Sequence, residues 1–374
     1  MKKVIFISAL AIAAAVSCTK SDIVDTKFDD AIGFEAYVGR DAQTKAEVID
    51  NSYEGNFAVY AYYTGNAEWS TSSPTNLWDG VIQVNKAGTI VVPTDAKDKY
   101  WANPDDLYSF FAYAPVDAVK VGTPSTQNPI INFTVQDEIP AQVDLLYADV
   151  ANIKNKKPAD FAGGKVTLNM KHALSRITVK AKAEAGDFKF DVKEITLEGA
   201  FNVKGNLPLS TGEWTGEAVA TEGKTKFEIF ANNKNVVDGK TTYGTYEDDN
   251  ALPTGSYKNY ATRTVPEGET TKDVTDNYLM IIPTVPAEGA TPANATLRVY
   301  YTTYYAEQES VVMYKDIQVP ISFEKGKAYS INLLFSHTTQ KITFEVVVTD
   351  WNPTADPDGN DASVKPADST TVKE

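Results

Sequence analysis

Apolar side chains in this chain recur at every second position in short runs, and that pattern limits its fold more than any other feature. Successive residues of a strand point to opposite faces, so such alternation describes a sheet with one face buried. Residues 56–63 (NFAVYAYY), 226–230, 296–301, 327–335 and 341–348 all read this way. They are rich in Tyr, Val, Thr, Ile and Phe and are bounded by Gly, Asn, Asp and Pro, as strands and turns require. No segment sustains the helical period of about 3.6 residues. The expected fold class is all-β, with few helices.

Two runs change phase in mid-strand. Val166, Leu168, Met170 and Leu174 share one face, whereas Ile177 and Val179 belong to the other. One inserted residue near 173–176, a β-bulge, would restore a continuous buried face. The same shift separates Phe188, Phe190 and Val192 from Ile195 and Leu197.

With 374 residues and 43% hydrophobic content, the chain can bury the cores of two ordinary domains. A polar, small-residue stretch at 182–187 is the expected boundary, giving a sandwich over 30–183 and a second over 184–351. Residues 238–269 read as a polar hairpin loop or insertion, and 352–374 as a disordered polar tail. The formal charge of −15 disfavours nucleic acid and anionic headgroups as partners.

The N-terminus carries Lys2 and Lys3, an apolar run over 4–16, then Ser17 and the only cysteine, Cys18. That order is a secretory signal (1–17) with a relaxed lipobox, so Cys18 is expected to carry lipid and 18–29 to form an anchored linker. The apolar run falls short of the roughly 20 residues a spanning helix needs, and no later segment is longer. With one cysteine, no internal disulfide can form.

Catalytic chemistry has little to draw on. His172 is in phase with Met170 and Leu174 and reads as an inward, hydrogen-bonded structural residue. His337 lies in a Ser-His-Thr-Thr turn and reads as solvated. Neither has an evident acid partner in the sequence. The many carboxylates cannot be placed as a pair across a cleft. The acidic run 356–361 lacks the Gly and Glu positions of an EF-hand loop, and no phosphate-binding glycine loop is present. No metal, cofactor or enzymatic activity is expected. Trp69, Trp78 and Trp101, with Tyr60, Tyr62 and Tyr63, either form a sugar-stacking platform or fill a core, the core being the ordinary use.

Several segments together resemble the fimbrillin family. These are Tyr108-Ser109-Phe110-Phe111-Ala112-Tyr113-Ala114-Pro115, Asp144-Leu145-Leu146-Tyr147-Ala148, and His172-Ala173-Leu174-Ser175-Arg176-Ile177. They continue with Gly205-Asn206-Leu207-Pro208-Leu209-Ser210-Thr211-Gly212-Glu213-Trp214 and Leu279-Met280-Ile281-Ile282-Pro283, then 323–335 around Gly326 and Tyr329. The order holds across nearly all of residues 30–351. Lys20-Ser21-Asp22 likewise resembles the signals that send lipoproteins to the outer face of anaerobic Gram-negative bacteria.

The resemblance implies two tandem transthyretin-like Greek-key β-sandwiches, export to the outer membrane as a lipoprotein, and a structural or adhesive role in a type V pilus. Implied partners are other pilus subunits, a host or bacterial surface ligand, and the membrane through the lipid. In polymerising members the first strand is removed and a neighbour's strand fills the groove. Here residues 31–38 (AIGFEAYV) alternate as such a strand would. Arg40 and Gln43-Thr44-Lys45-Ala46 follow, similar to the family's Thr-Arg-Ala clip region. Cleavage would fall after Arg40 or Lys45, unless this is a charged loop between permanent strands. Ile342, Phe344, Val346 and Val348 would be either the donor side chains or the final strand of the second sandwich. The latter favours a tip or accessory subunit over a stalk repeat. The alternative function is a monomeric glycan- or protein-binding surface lipoprotein.

Overall fold

The computed structural model describes residues 31–38, 55–102, 105–118, 129–154, 165–216, 224–247, 251–260, 262–264, 275–284, 291–338 and 341–351. Among these, regular structure is strand apart from three short 3-10 turns, as the period-two patterning requires. No described helix is long and apolar enough to cross a membrane.

An eight-stranded sheet dominates the first half. Its order is Gly33–Val38, Lys165–His172, Leu146–Lys154, Leu107–Ala114, Phe57–Gly65, Ile82–Val84 and Ile90–Val92, with Thr75–Asn76 also on Phe57–Gly65. The central strand Leu107–Ala114 is buried at all eight positions, which explains its continuous apolar reading, LYSFFAYA. Tyr108, Phe110, Ala112 and Ala114 enter one core with Phe57, Val59, Trp78, Trp101, Val166 and Leu168. Phe111 and Tyr113, on the opposite face, enter a second core with Ala58, Tyr60 and Tyr62.

This second core is shared with the rest of the chain. A three-stranded sheet joins Ile130–Thr134 to Lys204–Pro208 and Thr215–Gly216, so main-chain hydrogen bonds stitch the two halves together. Beyond it, two sheets face each other across Ile177, Val179, Ile331 and Leu333 on one side and Val192, Ile195, Leu197, Leu297 and Val299 on the other. One contains Lys258–Tyr260, Ser175–Ala183, Lys327–Phe335 and Ile342–Asp350, and the other Thr225–Ala231, Lys189–Gly199, Asn294–Tyr305 and Gln308–Glu309. Leu279–Ile281 adds to the first and Met313–Pro320 to the second.

The phase change at 173–176 is not a bulge. The chain leaves the first sheet at His172 and enters another at Ser175, with Ala173 and Leu174 fully buried between them. Ser175–Ala183, which runs into the start of the 182–187 stretch expected to separate the halves, pairs in parallel with Lys327–Phe335. The second phase change is a register shift between Val192 and Glu194. It puts Lys193 and Glu194 on the same outward side, where both are buried.

The polar 238–269 segment begins as a hairpin, Asn235–Val237 with Lys240–Thr242, turning through Asp238 (φ 49°) and Gly239 (φ 73°). Positive φ at both central residues is the geometry that Asp-Gly supplies in tight hairpins. The tail 352–374 lies outside the described residues.

Candidate functional site

The first strand, Gly33–Val38, is held from both flanks. On one side it pairs in parallel with Lys165–His172, Phe34 beside Val166 and Ala36 beside Leu168. On the other, the Ile32 N–H donates to the Lys99 carbonyl at 2.7 Å, and Ala31 bridges Tyr100. Alternation sends Ile32, Phe34 and Ala36 into the core, with Phe34 at 0% exposure. The Phe34 ring lies 5.7 Å from Phe110, edge to face, and 6.2 Å from Trp78. On the opposite face Glu35 accepts hydrogen bonds from Thr167 at 2.5 Å and Tyr37 at 3.0 Å.

The second flank is built from aromatics. Trp78 Nε1 donates to the Lys97 carbonyl at 3.0 Å, the Ala102 N–H donates to the Tyr108 hydroxyl at 2.6 Å, and Trp101 packs edge-on against Tyr108 at 4.8 Å. Burial pushes the Tyr108 phenol up, and the Ala102 N–H partly offsets this. Gly88 completes the fit. A Cβ there would stand 1.9 Å from the Phe34 carbonyl oxygen, and its φ of +85° is one that side chains avoid. Trp78, Trp101, Tyr60 and Tyr62 are all buried and Trp69 packs on Tyr62 at 4.8 Å, so these aromatics fill cores rather than offering a sugar platform. Trp78 and Trp101 take the core role read for them, but their place beside the first strand, and Gly88, were not foreseen from the sequence. The Asn-Lys-Ala-Gly turn signal at 85–88 was the available clue.

Ile342, Phe344, Val346 and Val348 occupy the edge strand Ile342–Asp350, which pairs with Lys327–Phe335 over nine positions. Each is half-buried against the second core. That strand and Gly33–Val38 belong to different sheets, so the structure does not bring the two candidate sites together. Cys18, Arg40 and Lys45 lie outside the described residues.

His172 is buried as anticipated but has an acid partner, with Nδ1 2.7 Å from Asp144 Oδ2. The pair is 28 residues apart in sequence and meets because Leu146 and His172 are cross-strand neighbours. His337 is half-buried rather than solvated, packed on Gly186 and 5.5 Å from Phe188. Among the described residues no group of three or more His, Cys, Asp or Glu could hold a metal.

The pattern of the fimbrillin-like family matches residues 44–351. The chain belongs to this family. The first strand precedes the matched span. Among solved structures, a fimbrial protein from Bacteroides vulgatus is 18% identical, with a TM-score of 0.57 over 86% of this chain and 99% of that one. That similarity supports the fold of the fimbrillin-like chain. A candidate cell adhesion protein from Bacteroides ovatus is 15% identical over 86% and 98% of the two chains, TM-score 0.47. The fimbrial anchor protein Mfa2 from Porphyromonas gingivalis is 13% identical over 86% and 98%, TM-score 0.31. No curated protein matches.

Proposed function

We propose that this fimbrillin-like chain is a structural or adhesive subunit of a type V pilus, displayed at the outer membrane and anchored through lipid on Cys18. The observation that carries the reading is the first strand, seated between two flanks with three side chains buried. Cleavage after Arg40 or Lys45 frees that strand. Its departure exposes the donors and acceptors of Lys165–His172 and the cavity left by Phe34, a surface unstable until another strand covers it.

The last strand bears on position in the fibre. Ile342–Asp350 pairs along its whole length, on one side, with Lys327–Phe335 of its own sheet, and the Trp351 N–H caps it by donating to the Gly326 carbonyl at 2.8 Å. These contacts favour a subunit that accepts a donor strand without offering its own, hence a tip or accessory component. The chain forms two units, and the pairing of Ser175–Ala183 with Lys327–Phe335 favours a change of unit at 173–174.

Protein recovered from the cell surface should begin beyond Arg40 or Lys45 on N-terminal sequencing. It should also join detergent-resistant complexes with other subunits on an unheated denaturing gel. Surface protein that keeps residues 31–38 and runs as a monomer would contradict the proposal.

A further inference from the structure

The outer face of the strand pair Asn294–Tyr305 and Met313–Pro320 is unusual for a solvated sheet. Alternation buries Ala295, Leu297 and Val299 completely and turns Thr296, Arg298, Tyr300, Thr302 and Tyr304 outward. The antiparallel register stacks these into rungs: Thr296 with Gln318, Arg298 with Asp316, Tyr300 with Tyr314. Arg298 grips Asp316 through two parallel bonds, Nε to Oδ1 at 2.6 Å and Nη2 to Oδ2 at 2.8 Å. Its guanidinium lies 4.8 Å over the Tyr314 ring, which is 5.8 Å from Tyr300 and 60% exposed.

The face is braced from beneath and from the side. Tyr243, 6.1 Å from Tyr300, donates its hydroxyl to the buried carboxylate of Glu194. Tyr246 stacks on Tyr304 at 4.2 Å, with planes 4° apart. Six of the nine exposed large hydrophobic residues among those described, Val236, Val237, Tyr305, Val311, Val312 and Tyr314, belong to this hairpin or to the segment that Tyr243 and Tyr246 join to it. Of these, Tyr305, Val311, Val312 and Tyr314 lie on the one hairpin that joins Asn294–Tyr305 to Met313–Pro320, and clustered exposed apolar residues mark interaction surfaces.

We propose that this ladder binds a neutral carbohydrate, one pyranose stacking on Tyr314 with its hydroxyls on the Arg298–Asp316 rung. The charge balance selects the occupant. Arg298 is already neutralised by Asp316, so in a chain of net charge −15 the rungs present no uncompensated cation to an anionic ligand. A sugar instead needs a flat apolar surface beside groups that both donate and accept. The paired guanidinium still has N–H groups to offer and the carboxylate still has lone pairs, while the ring receives the C–H face. Gln318 extends the polar edge. This inference does not rest on strand exchange, since the ladder and the first strand lie in different sheets.

The test probes the full-length mature protein against an array of neutral and anionic oligosaccharides, then titrates the bound glycan calorimetrically into variants. At least one neutral glycan should bind. Tyr314→Ala should weaken it by about tenfold or more, while Tyr314→Phe, which keeps the ring, should stay within about threefold. Asp316→Asn should also weaken binding, and Val92→Ser on the other sheet should not. Melting temperature reports that each variant is folded. Absence of any neutral ligand, binding confined to anionic glycans, or indifference to Tyr314→Ala would each overturn the proposal.

Discussion

The imidazole of His172 lies flat on the indole of Trp351, ring centroids 4.1 Å apart and planes inclined by 6°. His172 ends a strand of the first sheet, whereas Trp351 follows the last strand of the second half. Arg176 adds its guanidinium 5.5 Å over the same indole. A stacked aromatic pair contributes roughly 0.5–1.5 kcal/mol beyond area burial. A double-mutant cycle of His172→Ala and Trp351→Ala, read by urea denaturation, should therefore show a coupling of that order. Strict additivity would mean that the stack does not join the halves.

Gly88→Ala should loosen the first strand selectively. The new methyl would collide with the Phe34 carbonyl at 1.9 Å, at a φ that alanine adopts only with strain. A cost of about 1–3 kcal/mol is expected. Hydrogen exchange should accelerate at 33–38 and leave Leu107–Ala114 protected. Uniform protection across both strands would contradict the close fit.

Lys193 is the cation of a buried cluster. Its Nζ contacts Asp191 Oδ2 at 2.6 Å, Glu309 Oε1 at 2.7 Å and the Gly244 carbonyl at 2.8 Å. Lys193 and Asp191 are each 1% exposed. Lys193→Met should destabilise by about 3–5 kcal/mol because it strands a buried carboxylate, and Asp191→Leu in the same chain should recover much of the loss. Burial holds the Asp191 carboxyl above its ordinary range, outweighing Lys193. The contribution of Asp191 to stability is thus greatest below its unfolded pKa and declines as pH rises through the folded one. Replacement by Asn should remove that component of the pH dependence, as unfolding at several acidic pH values would reveal.

Core tyrosines should titrate late. Burial pushes Tyr62 and Tyr113 up to about 12, and burial together with the Asp106 carboxylate does the same to Tyr63. Because the folded state favours the neutral phenol, these groups stabilise fully below their unfolded pKa, near 10. That contribution is lost as pH rises from there through about 12. Ultraviolet titration of the phenolates should be biphasic, with Tyr63→Phe reducing only the later phase. A single transition near 10 would contradict the packing.

Much of the fold was legible because its physics is local. Alternation identified the strands, and the phase shift at Val192 announced the register change that buries Lys193. At His172 the same signal meant something else, because a change of face looks alike whether a strand bulges or the chain crosses between sheets. The Asp144–His172 contact and the Trp351 stack were hidden for a related reason: pairing between distant strands is not encoded by spacing. The surface tyrosines at 300 and 304 were readable as aromatics on the polar phase of a strand, but their rungs depend on the register with Met313–Pro320.

Strand exchange requires that the first strand fill a groove that another strand can occupy. A protease site introduced within 39–54, followed by cleavage and removal of the N-terminal piece under mild denaturant, allows a direct measurement. A fluorescent peptide of residues 31–38 is then titrated into trimmed and uncut protein and followed by anisotropy. Ile32 and Phe34 supply roughly 1.5–3 kcal/mol each on burial. The peptide should bind the trimmed chain but not the uncut one, and its Phe34→Asp counterpart should bind neither. Equal binding to both forms, or none to a trimmed chain that keeps its strand spectrum, would contradict it.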